Sequence, residues 1–199
     1  MTAACAADTA PQPRSRLRAR IVLAGLSACG LAALAWASFV HPLPRLIYNP
    51  SDSVAVGWYR VDPLDHRTSS LPRSLAPSLR VGSIVLVPLP AEAAALAAQR
   101  GYLPTRIPLL KRVGAIAPQE VCIAGGIVRI DGVPSATVLP ADRLGRPLPS
   151  WQQCCRLRPG ELFLLSVTNP ASFDSRYFGP VSAAAVIGVA RPVWLESRS

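Results

Sequence analysis

The chain has 199 residues, with 21 Lys or Arg against 11 Asp or Glu and a net charge of +10. That length leaves room for one domain with a real core beyond a targeting segment. The positive charge is scattered as single arginines rather than gathered into a basic stripe with interleaved aromatics, which argues against a nucleic-acid partner.

Four arginines, Arg14, Arg16, Arg18 and Arg20, precede an uncharged run from Ile21 to Val40. Such a run matches the ~20 residues that cross a bilayer as a helix, and the arginines keep the N-terminus cytoplasmic. The expected division is a cytoplasmic N-terminus (1–20), a transmembrane anchor (21–40) and an exported domain (41–199). A cleaved signal peptide is the rival reading, with Ala35-Trp36-Ala37 as a small-x-small site. Either way residues 41–199 emerge on the far side, the periplasm if the cell is Gram-negative. The charge left on the exported part is attractive to anionic lipid headgroups beside the anchor.

The exported part reads as mainly β. Strands are expected over 54–61, 81–87, 109–117, 120–124, 127–130, 161–168 and 185–193, with Pro and Gly punctuating the gaps. One helix is expected over Ala91–Gln99, with Pro90 at its start and Gly101 at its end. The Pro-, Arg- and Ser-rich segments 62–80 and 132–158 read as loops. Among the exported cysteines, three is an odd number, so the simplest count is one disulfide, Cys122 with Cys154 or Cys155, and a spare thiol. No CxxC or Cys/His spacing points to a metal, and no cofactor motif is present.

Lys111 is the sole lysine in a chain that otherwise takes its positive charge from arginine. A guanidinium stays protonated, whereas a desolvated ammonium can lose its proton and act as a base. On a strand, Lys111 shares one face with Leu109 and Val113 while Arg112 faces water. Alone, Lys111 is equally an ordinary lysine snorkelling at a sheet edge. Just after the anchor, Tyr48-Asn-Pro-Ser51-Asp52-Ser53-Val54 sets two serines on a polar turn that leads into a strand. There a hydroxyl can project beside free N–H groups suited to an oxyanion, although Ser after Asn-Pro is also ordinary turn chemistry. Near the C-terminus, Ser172-Phe-Asp174-Ser175-Arg176-Tyr177-Phe-Gly179 crowds polar residues into a loop, where Asp174 and Arg176 can pair and order it.

In this order and spacing, the three blocks resemble the type I signal peptidases, the serine/lysine-dyad proteases of membrane export, and most nearly their TraF-type conjugative-transfer branch. The resemblance runs from the anchor to about Trp194. Ser51-x-Ser53, framed by Asn49 and Gly57-x-Tyr59, looks like the nucleophile box. Leu110-Lys111-Arg112-Val113 looks like the general-base box, and Ser172 to Gly179 is similar to the C-terminal box. The resemblance implies an antiparallel β domain lying against the membrane, with shallow pockets for small residues before the cut bond. It makes Ser53 the nucleophile and Lys111 its base. It also implies that Ser51 helps the Ser53 N–H to form the oxyanion hole, that Ser172 holds the lysine amine, and that Asp174 orders the site through Arg176. The implied partners are a pilin-like precursor, membrane lipid and conjugation machinery. Some members of that branch join the new pilin termini into a ring.

Departures from the pattern are local. Val54 and Ala55 stand where Met and Pro are common, and Gly114 to Glu120 replaces a Pro-Gly-Asp turn. Val167-Thr-Asn-Pro170 replaces the Gly-Asp-Asn-Arg run of general secretion, which favours the transfer branch. A general type I signal peptidase and a non-catalytic pilus-assembly component are the alternatives. A Ser-His-Asp hydrolase would have to use His41, at the membrane exit, or His66, in a Pro/Arg-rich loop.

Overall fold

In a computed structural model, which describes residues 13–39, 46–64 and 79–196, the apolar run near the N-terminus folds as one helix, α1 (Pro13–Phe39). It begins earlier than the expected anchor and takes the arginines at 14–20 into its first turns, because nothing in that stretch breaks a helix. Its window Leu17–Trp36 is long and apolar enough to cross a membrane, ~30 Å at 1.5 Å per residue. The helix belongs to a first unit, Met1–Pro42, and the rest of the chain, Leu43–Ser199, forms a second.

The second unit is built from short antiparallel strands. In chain order these are β1 (Leu46–Asn49), β2 (Gly57–Pro63) and β3 (Ile84–Val87), then helix α2 (Ala91–Gln99) and β4 (Leu109–Ile116). There follow β5 (Glu120–Ala124), β6 (Ile127–Ile130), β7 (Val133–Thr137), β8 (Cys154–Arg156) and β9 (Glu161–Leu164). The chain closes with a one-turn helix α3 (Ser175–Phe178), β10 (Val181–Ser182) and β11 (Gly188–Leu195). One sheet has seven strands in the order β1-β2-β11-β3-β4-β9-β10, and a second has four in the order β7-β6-β5-β8.

Local chemistry explains the tight connections. Gly125-Gly126 between β5 and β6, and Asp131-Gly132 between β6 and β7, all take positive φ, as the mirror-image turns of two-residue hairpins demand. Helix α2 ends as expected at Gly101, whose φ of 72° terminates it. Packing is divided among three clusters of buried apolar side chains. One joins Val85, Val87 and Val113 to Leu162 and Leu164, and a second seats the small sheet, through Val121, Ile123 and Val128, on Ala115, Phe163 and Leu165. The third gathers Val54, Tyr59, Val61, Leu86, Leu110 and Ala190 under the turn that carries Ser53.

The mainly β expectation and the helix over 91–99 hold, and several boundaries change. The strand expected over 54–61 begins only at Gly57, because residues 50–56 form the polar turn, and β1 precedes it. Segment 132–158 is not all loop. It contains β7 and β8, short strands: β7 forms a hairpin with β6, and β8 pairs with β5 some thirty residues earlier. The C-terminal box is not simply a loop, since Ser175–Phe178 closes a helical turn capped by Asp174. The expected strands over 81–87, 161–168 and 185–193 appear as 84–87, 161–164 and 188–195. Cys5, His41, His66 and most of the 62–80 loop lie outside the described residues.

Candidate active site

Asn49 organises the turn that presents Ser53. Its Nδ2 donates to the carbonyls of Ser51, Val54 and Ala55 at 2.8, 3.2 and 3.0 Å, and its Oδ1 accepts from the Ser51 N–H at 3.3 Å. Tyr59 locks the exit of the turn by donating its hydroxyl to Ala55 O at 2.6 Å. Gly57 joins turn to strand at φ 146°, where a Cβ would lie 2.2 Å from Trp194 O, so only glycine fits. The Asn49…Gly57-x-Tyr59 frame therefore has a mechanical basis.

Within this frame the hydroxyl protons can be placed. Ser51 Oγ donates to Asn49 Oδ1 at 2.9 Å and lies 2.8 Å from Ser53 Oγ. A hydroxyl has one proton, so Ser53 must be the donor of the second bond. Ser53 is buried, and its backbone N–H makes no hydrogen bond to any other described residue. That leaves a donor beside the hydroxyl for a developing oxyanion.

Lys111 lies on β4, opposite Val85 of β3. It is buried with Val113 while Arg112 is exposed, as the alternation predicts, and Leu109 on the same face is half-buried. Leu110 is buried too, because the opposite face of β4 packs into the third core cluster. Burial pushes the Lys111 ammonium down to about 8; the Asp174 charge opposes this shift and the Arg176 charge adds to it. The amine donates to Ser172 Oγ. This is its one hydrogen-bond partner among the described residues, whereas an ammonium has three donors to satisfy. The site suits a neutral amine.

Ser172 is itself held fast. Its N–H donates to Asn169 O at 3.1 Å, and its carbonyl accepts from Arg176 Nη2 at 2.9 Å. Asp174 and Arg176 are fully buried and paired by two parallel bonds, Nε to Oδ1 at 2.7 Å and Nη2 to Oδ2 at 2.8 Å. Arg176 Nη1 ties the box to Thr137 O on β7 and to Pro170 O, at 2.9 and 3.0 Å. Asp174 also accepts from the Ser166 N–H beyond β9 at 3.0 Å. A buried ion pair pays its desolvation only when such partners are complete, and here they are. The pair holds the loop that holds Ser172, which holds Lys111.

A cavity of about 1070 Å³ brings these parts together, with Ser51, Ser53, Lys111 and Ser172 all on its wall. Asp174 and Arg176 lie behind it. No direct hydrogen bond joins Ser53 to Lys111 in this state, since each hydroxyl or amine is turned to another partner. Phe173 and Tyr102, rings 5.5 Å apart, extend the wall, as do Arg100, Asp142 and Arg146. These residues carry no local signal; Asp142 and Arg146 fall in a segment that reads as loop, and Arg100 meets them across more than forty residues. Away from the cavity, Cys122 is bridged to Cys154, leaving Cys155 as a free thiol. No group of side chains among the described residues could hold a metal ion.

A family model for the signal peptidases, peptidase S26, matches residues 18–195. The chain belongs to this peptidase S26 family. A plasmid transfer protein TraF from Escherichia coli is 32% identical over 189 residues, covering 89% of this chain and 95% of that protein. A probable conjugal transfer protein TraF from Sinorhizobium fredii is 31% identical over 187 residues, 89% of this chain and 92% of the relative. Another plasmid transfer protein TraF from Escherichia coli matches at 42% over 88 residues, and there the chain spans half the relative's length. Among solved structures, a signal peptidase I from Enterococcus faecalis is 22% identical, with a TM-score of 0.35 over 56% of this chain and 95% of the other. All three boxes of this S26 chain fall inside the segment matched by the family model.

Proposed function

We propose that this S26 family member is a membrane-anchored serine endopeptidase in which Ser53 is the nucleophile and Lys111 the general base. The observation that carries the reading is a buried lysine whose pKa is pushed down to about 8, held by Ser172, on the same cavity wall as Ser53. In the reacting state Ser53 exchanges its bond to Ser51 for one to Lys111 Nζ. Ser53 Oγ then attacks the scissile carbonyl while its proton passes to the amine. The Ser53 N–H, with the Ser51 hydroxyl once it turns from Asn49, receives the oxyanion. Collapse of the tetrahedral centre breaks the peptide bond, the lysine proton goes to the leaving amine, and an acyl-enzyme remains. Water resolves it to a cut chain; an amine of the same precursor resolves it to a ring.

The substrate reading is an exported pilin-like precursor cut at a small-x-small site. The names of the plasmid and conjugal transfer relatives support a place in conjugation machinery. Helix α1 and its arginine cluster support retention in the inner membrane, with the N-terminus cytoplasmic and the peptidase domain in the periplasm. The test is cleavage of the precursor by membranes carrying Ser53→Ala or Lys111→Arg protein. Each substitution should abolish cleavage while the protein stays folded and membrane-bound; Lys111→Arg is the sharper, because it keeps the charge and removes the base. Substantial cleavage by the Lys111→Arg protein would sink the mechanism. Precursor processing that needs neither residue would favour a non-catalytic assembly role.

A further inference from the structure

Arg100, Asp142 and Arg146 line the same cavity as Ser53 and Lys111, and the chemistry above does not use them. Arg100 sits at the C-terminal cap of α2, and Arg146 ends the turn that starts at Asp142. The Asp142 carboxylate is saturated. Its Oδ1 accepts from the N–H groups of Leu144 and Arg146 at 2.9 and 3.0 Å. Its Oδ2 accepts from Arg146 Nε at 2.7 Å and from the Tyr102 hydroxyl. Two bonds to each oxygen occupy the lone-pair sites that a carboxylate offers.

Arg100 is left over. Its Nη2 donates to Pro147 O at 2.8 Å, but its Nη1 stands 3.9 Å from Asp142 Oδ2, too far for a hydrogen bond. That nitrogen is buried and has no acceptor among the described residues. Buried donors are paired in the great majority of cases, so an orphan on a cavity wall marks a place where an acceptor from outside docks. The charge says which kind. Two guanidiniums share one carboxylate, and exposed Arg143 adds a third cation at the same cavity. A planar fork with surplus positive charge selects a carboxylate over a neutral carbonyl.

We propose that this wall is a substrate subsite that grips a carboxylate of the precursor chain through Arg100, with Arg146 beside it, an inference that rests on the peptidase reading. A chain of contacts joins it to the chemistry. Tyr102 bonds Asp142 and meets at a tilt the ring of Phe173, the neighbour of Ser172, which holds Lys111. The carboxylate is a Glu or Asp side chain of the precursor or its free C-terminus.

The experiment uses the full chain in detergent and synthetic peptides with one small-x-small site. A Glu is scanned against Gln along both sides, and each peptide is made with a free and an amidated C-terminus. The expected result is one position, or the free C-terminus, at which the carboxylate raises kcat/KM about tenfold or more over the amide, as charge-assisted bonds do. The position scan and the end-group pair separate the two sources. Arg100→Gln should shrink that ratio towards one. Equal kcat/KM for acid and amide forms throughout, or a preference that survives both Arg100→Gln and Arg146→Gln, overturns the subsite. If no peptide is cut, the peptidase reading falls, and the subsite is judged by binding to the Ser53→Ala protein: equal Kd for acid and amide peptides overturns it there.

Discussion

At the scale of single residues, the proposed chemistry turns on the protonation of Lys111. Burial pushes its pKa down to about 8. In the proposed mechanism the base acts when neutral, so activity should rise with pH through that value, as the neutral fraction goes from about a tenth at pH 7 to about nine-tenths at pH 9. We expect kcat/KM for peptide cleavage to climb about tenfold across that interval, and a pH–rate profile checks it. A midpoint above pH 10, where an exposed lysine titrates, would contradict the buried-base assignment. The lone lysine was legible in the composition, and its burial with Val113 followed from strand alternation. The resting direction of the Ser53 proton was not legible. It depends on Asn49 taking the Ser51 proton, a matter of hydrogen-bond geometry within one turn.

Among the elements, the short helix α3 and the loop before it act as one clamp. Asp174 and Arg176 could be read as a pair from their spacing, but the spacing carries no information on burial. Their complete burial changes the consequence. Removing one partner strands the other charge away from water and opens the bonds to Thr137, Pro170 and Ser172. Arg176→Met or Asp174→Ala should each lower stability by about 3–5 kcal/mol, read as a fall in the urea midpoint, where an exposed pair would cost under about 1. The strands β7 and β8 escaped the sequence reading for a related reason. Each is short and rich in polar or breaking residues, as in Val133-Pro-Ser-Ala-Thr137, and gains its structure from partners across the small sheet.

For the molecule as a whole, one covalent bond ties distant parts of the small sheet. Cys122 lies directly opposite Cys154 in the β5–β8 register, while Cys155 is opposite Val121. Neighbours on a strand face opposite sides, so only one of the adjacent cysteines can reach the bridge. The bridge closes a separation of 32 residues, and constraint of the unfolded chain on that scale stabilises by about 3–4 kcal/mol. Cys154→Ser should lose about that much in denaturant unfolding under oxidising conditions, and Cys155→Ser less than about 1 kcal/mol. Equal losses, or free thiols at Cys122, Cys154 and Cys155 alike in the oxidised protein, would remove the bridge from the account.

The amino-acid sequence by itself determined the apolar N-terminal helix, the alternation of short strands, the helix over 91–99 and the three polar blocks in their order. Each of these is written within a window of about ten to twenty residues, through periodicity, turn chemistry or an unusual residue. Tertiary structure alone decided which cysteine is bridged, how completely Asp174 and Arg176 are buried, and that Arg100 reaches the cavity with a donor to spare. Those outcomes depend on register, on desolvation and on contacts between residues some thirty to fifty positions apart. No local pattern encodes them, because the energy of a buried charge or an unpaired donor is set by whatever the rest of the fold brings to it.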